Sequence, residues 1–425
     1  MAKIFIETHG CSANFSDSEI MSGILKENGF ELVKTEAESD LNIINTCIVK
    51  TPTEQKMIHR IKKMTKTNKP LVVAGCMTKT EQSVIEEINP QASLIAPNSA
   101  HEILETVNNT LDGHRIVTLA SPSTPKINLP KVSTQPFVSI IQILNGCTSR
   151  CTFCQTKFAR GELFSYPLDL IIKEVREAKN SGFREIWLTS QDNSCYGLEN
   201  GINLSVLLEE IGKVGGDFFV RVGMMNPLHL KKFLPRLVES YNNEKIFKFL
   251  HLPLQSASDS VLRSMRRGYS VKDFLYFVDS FREKIPEICL STDIIVGYPT
   301  ESDGDFKKTV DLVKKVRPDV TNISKFWPRM GTEAAKMPQI DRKNINKRTQ
   351  KLHKIARKIS LEKNKQWIGW KGKIFISERV EKGFLGKNSS YKYVFVESEE
   401  NILGKKISVK ISDASTNFLI SEKNF

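Results

Sequence analysis

Three cysteines, Cys147, Cys151 and Cys154, fall within eight residues of one another in the stretch NGCTSRCTFCQTKFARG, directly after an apolar run at 137–144. Thiolates at a CxxxCxxC spacing are metal-ligand chemistry. An iron–sulfur cube is held by Cys thiolates and four close its coordination sphere, so three bunched sulfurs would leave one iron open to a small molecule. Zinc is the rival reading, but a structural zinc takes four protein ligands, and no fourth Cys or His lies in the segment. Three unrelated thiols are the plain alternative.

The elements around these sulfurs follow from hydrophobic period and turn residues. KIFIET at 3–8 predicts a buried strand ending at the turn His9-Gly10-Cys11. A helix is expected from about Ser16, where Ser16 and Glu19 fit a capping box, to Gly29. The alternation repeats with strands at 41–46, 70–74 and 93–96 and helices near 53–64, 80–88 and 100–111. Strands alternating with helices predict a mostly parallel, doubly wound sheet. Cys11, Cys47 and Cys76 each fall just past the C-terminal end of a different strand, the edge at which ligands sit in open α/β sheets. A single such Cys is ordinarily a small buried hydrophobe. Three at one edge, each beside Gly or Thr, point to a shared ligand.

Residues 120–136 hold four prolines and no period, which predicts an extended boundary. Beyond it six strands are expected, at 137–144, 185–191, 218–224, 247–254, 289–297 and 320–327. Six fall short of the eight of a closed (β/α) barrel, whose working face lies at the strand C-termini. Polar residues recur there: Ser190, Gln191, Asp192 and Asn193 after the second strand, Asn226 after the third, Gln255, Ser256 and Ser258 after the fourth, and Asp293 within the fifth. That recurrence fits a polar ligand bound across a barrel mouth. A Lys-rich helix is expected at 344–366, then five short strands at 373–378, 383–387, 391–397, 405–411 and 417–421, which predict a small barrel of the oligonucleotide-binding kind. Phe384, Tyr391 and Tyr393, interleaved with Lys382, Lys387 and Lys392, would stack bases and neutralise phosphates. The chain therefore reads as α/β: a doubly wound domain at 1–119, a linker at 120–136, a partial (β/α)6 barrel at 137–366 and a small β-barrel at 367–425.

The 425 residues carry 62 Lys and Arg against 48 Asp and Glu, a formal charge of +14 that favours an anionic partner such as nucleic acid. No apolar run reaches the ~18 residues of a membrane span, and the amino terminus reads as a strand without a signal-peptide core. A cytoplasmic protein with no membrane partner is expected. Eight cysteines in a chain of this length argue for metal binding in a reducing compartment.

The CxxxCxxC spacing resembles that of radical S-adenosylmethionine (SAM) enzymes. The stretches ETHGCSANFSDSE, SDLNIINTCIVKTPTEQK and LVVAGCMTKT resemble the three cysteine motifs of methylthiotransferases. TKFARG, IWLTSQD, HLPLQSASDSVL and STDIIVGYPTE are similar to the branch that modifies N6-threonylcarbamoyladenosine in tRNA. The resemblance implies two 4Fe-4S clusters, one on Cys147, Cys151 and Cys154 with an open iron that chelates SAM, the other on Cys11, Cys47 and Cys76. It implies methylthiolation of carbon 2 of the modified adenosine beside the anticodon, with two SAM molecules and an external electron donor. Phe153 would shelter the adenine of SAM, and Gln191, Ser256 and Asp293 would contact SAM or the target base. The C-terminal module looks like the RNA-binding TRAM barrel. The same chemistry on isopentenyladenosine or on a ribosomal-protein aspartate, and a non-catalytic iron–sulfur RNA-binding protein, are the competing readings. Two features depart from the pattern: Met330 and Glu333 stand where the family usually has prolines, and Cys195 and Cys289 belong to neither trio.

Overall fold

The computed structural model describes residues 1–49, 51–120 and 124–422. Lys50, linker positions 121–123 and the polar carboxyl end at 423–425 lie outside the described residues. The chain forms two compact units, one of Met1–Ser181, Trp187–Ile202 and Trp327–Ala335, the other of Gly182–Ile186, Asn203–Phe326 and Lys336–Phe425.

The first unit opens with strands β1 (Lys3–Thr8), β2 (Glu31–Val33), β3 (Leu41–Thr46), β4 (Leu71–Gly75), β5 (Ser93–Ile95) and β6 (Val117–Thr118), in the order β2-β1-β3-β4-β5-β6 with every pair parallel. Alternation along the strands sends neighbouring apolar residues to opposite faces. Ile43 and Val72 pack with Met21 and Leu25 of α1 (Ser12–Glu27) and with Ile103 and Val107 of a helix at Ile103–Leu111. Ile44 and Val73 pack with Met57, Ile61 and Ile85 from helices Thr51–Thr65 and Gln82–Ile88. Covered on both faces, the sheet is doubly wound, as its buried apolar strands require.

One local expectation is corrected. α1 starts at Ser12 with Cys11 as its N-cap, so Ser16 and Glu19 form no capping box. Ser16 is buried inside the helix and donates to the Ile140 carbonyl at 3.4 Å, while Glu19 accepts from the backbone N–H and the hydroxyl of Thr134, each at 2.9 Å. The linker has no helix or strand between 124 and 137, yet it is docked: Lys126 and Ile127 are buried, and the Val132 N–H donates to the Glu19 carbonyl at 3.0 Å.

The six barrel strands form where expected: β7 (Val138–Gln142), then, past the short antiparallel pair β8 (Leu144–Asn145) and β9 (Phe164–Ser165), β10 (Glu185–Thr189), β11 (Phe219–Val222), β12 (Phe249–His251), β13 (Cys289–Val296) and β14 (Val320–Lys325), with helical segments between them. The six strands and the helices between them are the elements expected of a partial (β/α)6 barrel. In the second unit β12, β13 and β14 run parallel. Ile294 and Val296 of β13 pack against Phe306, Val310 and Val313 of the following helix and against Leu352 and Ile359 of the helix Arg342–Lys365. By the strand period of two, Ser291 and Asp293 take the other face.

Strands β15 (Lys371–Val380), β16 (Gly383–Lys387), β17 (Tyr393–Val396), β18 (Lys406–Ala414) and β19 (Leu419–Ser421) close a barrel in the order β15-β16-β17-β19-β18. The expected stacking row is only partly on its surface: Lys382 is exposed and Tyr391 and Tyr393 are half-buried, but the rest turn inward. Phe384 is a core residue beside Ile374, Ile376 and Val394. Tyr391, at φ 62°, lies 4.9 Å from the ring centroids of both Phe247 and Phe249. Lys387 pairs with Glu185 at 2.8 Å and Lys392 with Asp319 at 2.8 Å, all four buried. Apolar neighbours and local carboxylates have drawn these side chains inward. Among the described residues no helix is long and apolar enough to cross a membrane.

Candidate metal centre

Both cysteine trios fall in the first unit. Cys147, Cys151 and Cys154 follow β8 in a loop, each of them half-buried. The turn into it is made by Gly146 at φ 74°, a left-handed conformation that glycine adopts without strain, and a β-carbon there would run into the Glu162 carbonyl. The Gly146 N–H donates to Gln191 Oε1 at 2.8 Å. Gln191 thus holds the backbone immediately before the first cysteine. The Ser149 N–H donates to Cys147 Sγ at 3.3 Å, the Cys154 N–H donates to the Cys151 carbonyl at 3.1 Å, and Lys157 Nζ donates to the Cys147 carbonyl.

Cys195, wholly buried, sits against this loop. Its sulfur lies 3.3 Å from Asp192 Oδ2 and 3.4 Å from Thr148 Oγ1. The donor atoms of Cys147, Asp192 and Cys195 all lie within 4.8 Å of one another. A hydrogen bond from Cys195 brings the Cys147 thiol down to about 7, against the opposing effect of burial.

Cys47 and Cys76 stand directly after β3 and β4, and Cys11 follows β1 across the turn His9-Gly10, all at the C-terminal edge of the parallel sheet. Gly10, at φ 117°, permits their approach: a β-carbon on it would lie 2.7 Å from Cys47 Cβ and 2.9 Å from its Sγ. Burial raises the Cys47 thiol, with a contribution from the charge of Cys11. Burial pushes Cys76 up to about 12, with Arg160 opposing and with Cys11 and Cys47 adding to the rise. The three cysteines follow neighbouring strands in the order β1-β3-β4 and so share one edge, although 65 positions separate the first from the last. Asn14 ties them in: its Nδ2 donates to the Thr46 carbonyl at 2.8 Å, and Cys11 Sγ donates to its Oδ1 at 3.4 Å.

Sequence reasoning passed over the charged network beside this trio. Arg160 ends the short helix α2 (Thr156–Arg160), which follows directly on Cys154, and its side chain is 1% exposed. Arg160 Nη2 pairs with Asp17 Oδ2 at 2.8 Å and donates to Asn14 Oδ1 at 3.1 Å. The positive charge of the guanidinium also acts on the Cys76 thiol, opposing its rise. Lys126 pairs with Asp17 Oδ1 and donates to the Pro97 carbonyl at 2.7 Å, and Gln142 Nε2 donates to Asp17 Oδ1 at 2.8 Å. Burial would raise the Asp17 carboxyl, but Arg160 and then Lys126 hold it below the ordinary range. Burial brings Lys126 down to about 8. Two buried cations share one buried carboxylate, and Arg160 Nη1 is buried without a hydrogen-bond partner. Unpaired buried charge is costly, so the surplus fits an anionic group held by the neighbouring thiolates, as a thiolate-ligated cluster is. A signal was present in TKFARG, where a basic residue ends a helix too short to stand alone.

The remaining sequence candidates are placed as follows. Phe153 is half-buried next to Cys154. In the second unit Ser256 is fully buried, with Oγ accepting from the Ser258 N–H at 3.3 Å. Asp293 is part-exposed and pairs through Oδ2 with His251 Nε2 at 2.7 Å. Cys289 is buried among Phe247 and Phe249.

Comparison with known proteins gives these sites a context. Residues 3–96 match the uncharacterized protein family UPF0004, and residues 141–313 match the radical SAM superfamily. The chain is 41% identical to a probable threonylcarbamoyladenosine tRNA methylthiotransferase of Methanothermobacter thermautotrophicus over 99% of each chain. It is 36% identical to the human threonylcarbamoyladenosine tRNA methylthiotransferase, over 98% of this chain and 73% of that one. Among solved structures, the radical SAM methyltransferase TsrM of Kitasatospora setae superposes with a TM-score of 0.58 at 15% identity, covering 79% of this chain and 75% of that one, a likeness of fold.

Proposed function

Because this chain belongs to the threonylcarbamoyladenosine tRNA methylthiotransferase family of radical SAM enzymes, we propose that it places a methylthio group on carbon 2 of N6-threonylcarbamoyladenosine beside the tRNA anticodon, using two 4Fe-4S clusters and two SAM molecules. The observation that carries the two-cluster reading is the gathering of Cys11, Cys47 and Cys76 at one sheet edge, with the surplus buried charge of Arg160 and Lys126 beside them. Cys147, Cys151 and Cys154 would hold the cluster that binds SAM, and the other trio the second. An aromatic C–H has neither an acidic proton nor a leaving group, and the bound cofactors supply the radical chemistry that it requires.

The protein's own part is positioning. Gln191 fixes the turn at Gly146, the Ser149 N–H braces Cys147, and Cys195 lends Cys147 a hydrogen bond. In this reading Phe153 borders the SAM adenine, and Gln191, Ser256 and Asp293 contact SAM or the target base. The net charge of +14 suits a tRNA partner. A base in a single-stranded loop can be turned out without melting a duplex. The working division is a domain at 1–119, a linker at 120–136, a radical SAM barrel at 137–366 and a TRAM-like module at 367–425, in a cytoplasmic enzyme served by an external electron donor.

Mass spectrometry of tRNA nucleosides from a deletion strain tests the substrate. Loss of the methylthio-threonylcarbamoyl nucleoside, restored by the wild-type gene, is expected. An undiminished level, or loss of a methylthio-isopentenyl nucleoside or of a ribosomal methylthio-aspartate instead, would refute the assignment.

A further inference from the structure

We propose that Arg160 is a positioning residue for the cluster at Cys11, Cys47 and Cys76: a guanidinium delivered by the loop of the other cysteine trio that supplies the counter-charge of this one. The inference rests on the two-cluster reading above. Three observations carry it. Arg160 follows Cys154 by six positions, so the backbone that carries one trio also fixes this side chain. Arg160 Nη2 donates to Asn14 Oδ1 at 3.1 Å, and Cys11 Sγ donates to the same oxygen at 3.4 Å, so the guanidinium stands beside the trio, where its charge acts on Cys76. The buried set of Asp17, Lys126 and Arg160 carries one positive charge in surplus, and Nη1 of Arg160 has no hydrogen-bond partner among the described residues.

The charge balance follows from chemistry. A 4Fe-4S core in its oxidised 2+ state with three thiolates carries one net negative charge, and one more after reduction. The surplus of the Asp17, Lys126 and Arg160 set matches the first, and any fixed cation favours the second. Net charge and hydrogen bonds to the sulfurs are the terms by which a protein sets cluster potential. In a dry site a planar guanidinium is suited to this work, because it stays charged and its rigid fork can pair with Asp17 while other donors face away from it. Asp17 orients Arg160 and at the same time offsets part of its charge.

The test uses the full-length chain with Cys147, Cys151 and Cys154 replaced by Ala, reconstituted anaerobically so that only the N-terminal trio can take iron. Iron content and an EPR-monitored redox titration are read for this parent and for R160Q, R160K and D17N in the same background. R160Q should lower the ratio of reduced to oxidised cluster at fixed potential at least tenfold, a shift of ~59 mV for one electron. R160K, which keeps the charge, should shift the ratio less than threefold, and D17N should move it in the opposite direction to R160Q. Loaded R160Q and D17N clusters within threefold of the parent would overturn the proposal. If R160Q takes up no iron, the sign of the D17N shift decides, an unchanged or lowered ratio overturning the proposal. Failure of the parent itself to bind iron would refute the two-cluster reading instead, which separates the two failures.

Discussion

Lys387 of the C-terminal barrel meets Glu185, the first residue of β10, with its ammonium 2.8 Å from Oε1 and 2.9 Å from Oε2 and both side chains buried. The pair ties a hairpin strand to a barrel strand within the second unit. Removing one partner of a buried ion pair leaves an uncompensated charge and costs roughly 3–5 kcal/mol, whereas replacing both with apolar groups is far milder. E185L and K387M are therefore each expected to lower the thermal midpoint clearly, and the E185L/K387M double variant to lower it less than the sum. Additive losses in circular-dichroism melts would contradict the pairing.

Cys195 gives a pH prediction for the metal-free protein. Its hydrogen bond stabilises the Cys147 thiolate and brings that thiol to about 7. The thiolate is the form that is alkylated, so the rate at Cys147 should rise through a midpoint near that pH. In C195A the midpoint should move up towards the ordinary thiol range, and C195S should retain part of the effect. Peptide mass spectrometry after iodoacetamide pulses across pH 5–10, in the order of ~1-unit steps, reads it. An unmoved midpoint in C195A would count against the contact.

Gly146 tests the first step into the CxxxCxxC loop. An alanine there would meet both the left-handed backbone, a strain of about 1–3 kcal/mol, and the Glu162 carbonyl. G146A should fold with lowered stability and lose the iron assigned to Cys147, Cys151 and Cys154. Gly113, at φ 83° with nothing within 4 Å of a β-carbon, is the control, and G113A should show the strain alone. Full iron loading in G146A would contradict the assigned role of the turn.

Much of this architecture was legible because it is periodic. The strand and helix alternation of the first domain and the six barrel strands follow from apolar runs between turn residues, and the edge shared by Cys11, Cys47 and Cys76 follows from that alternation alone. What was not legible depends on pairings between distant positions. Nothing local marks Asp17, Lys126 and Arg160 as one buried network, because charged residues are ordinarily solvated and their partners lie more than a hundred positions apart. The same prior misled the reading of Lys387 and Lys392, whose alternation with aromatics suggested an RNA face but whose carboxylate partners, Glu185 and Asp319, lie inside. Ser16 was misread as a cap because Cys11, a poor capping residue, begins the helix.

The central claim is that two separate cysteine trios each carry a cube, and iron and acid-labile sulfide counted on anaerobically reconstituted protein test it most directly. About eight irons per chain are expected for the wild type, and about four each for the C11A/C47A/C76A and C147A/C151A/C154A variants. About four in the wild type, unchanged in the first triple variant, would contradict it.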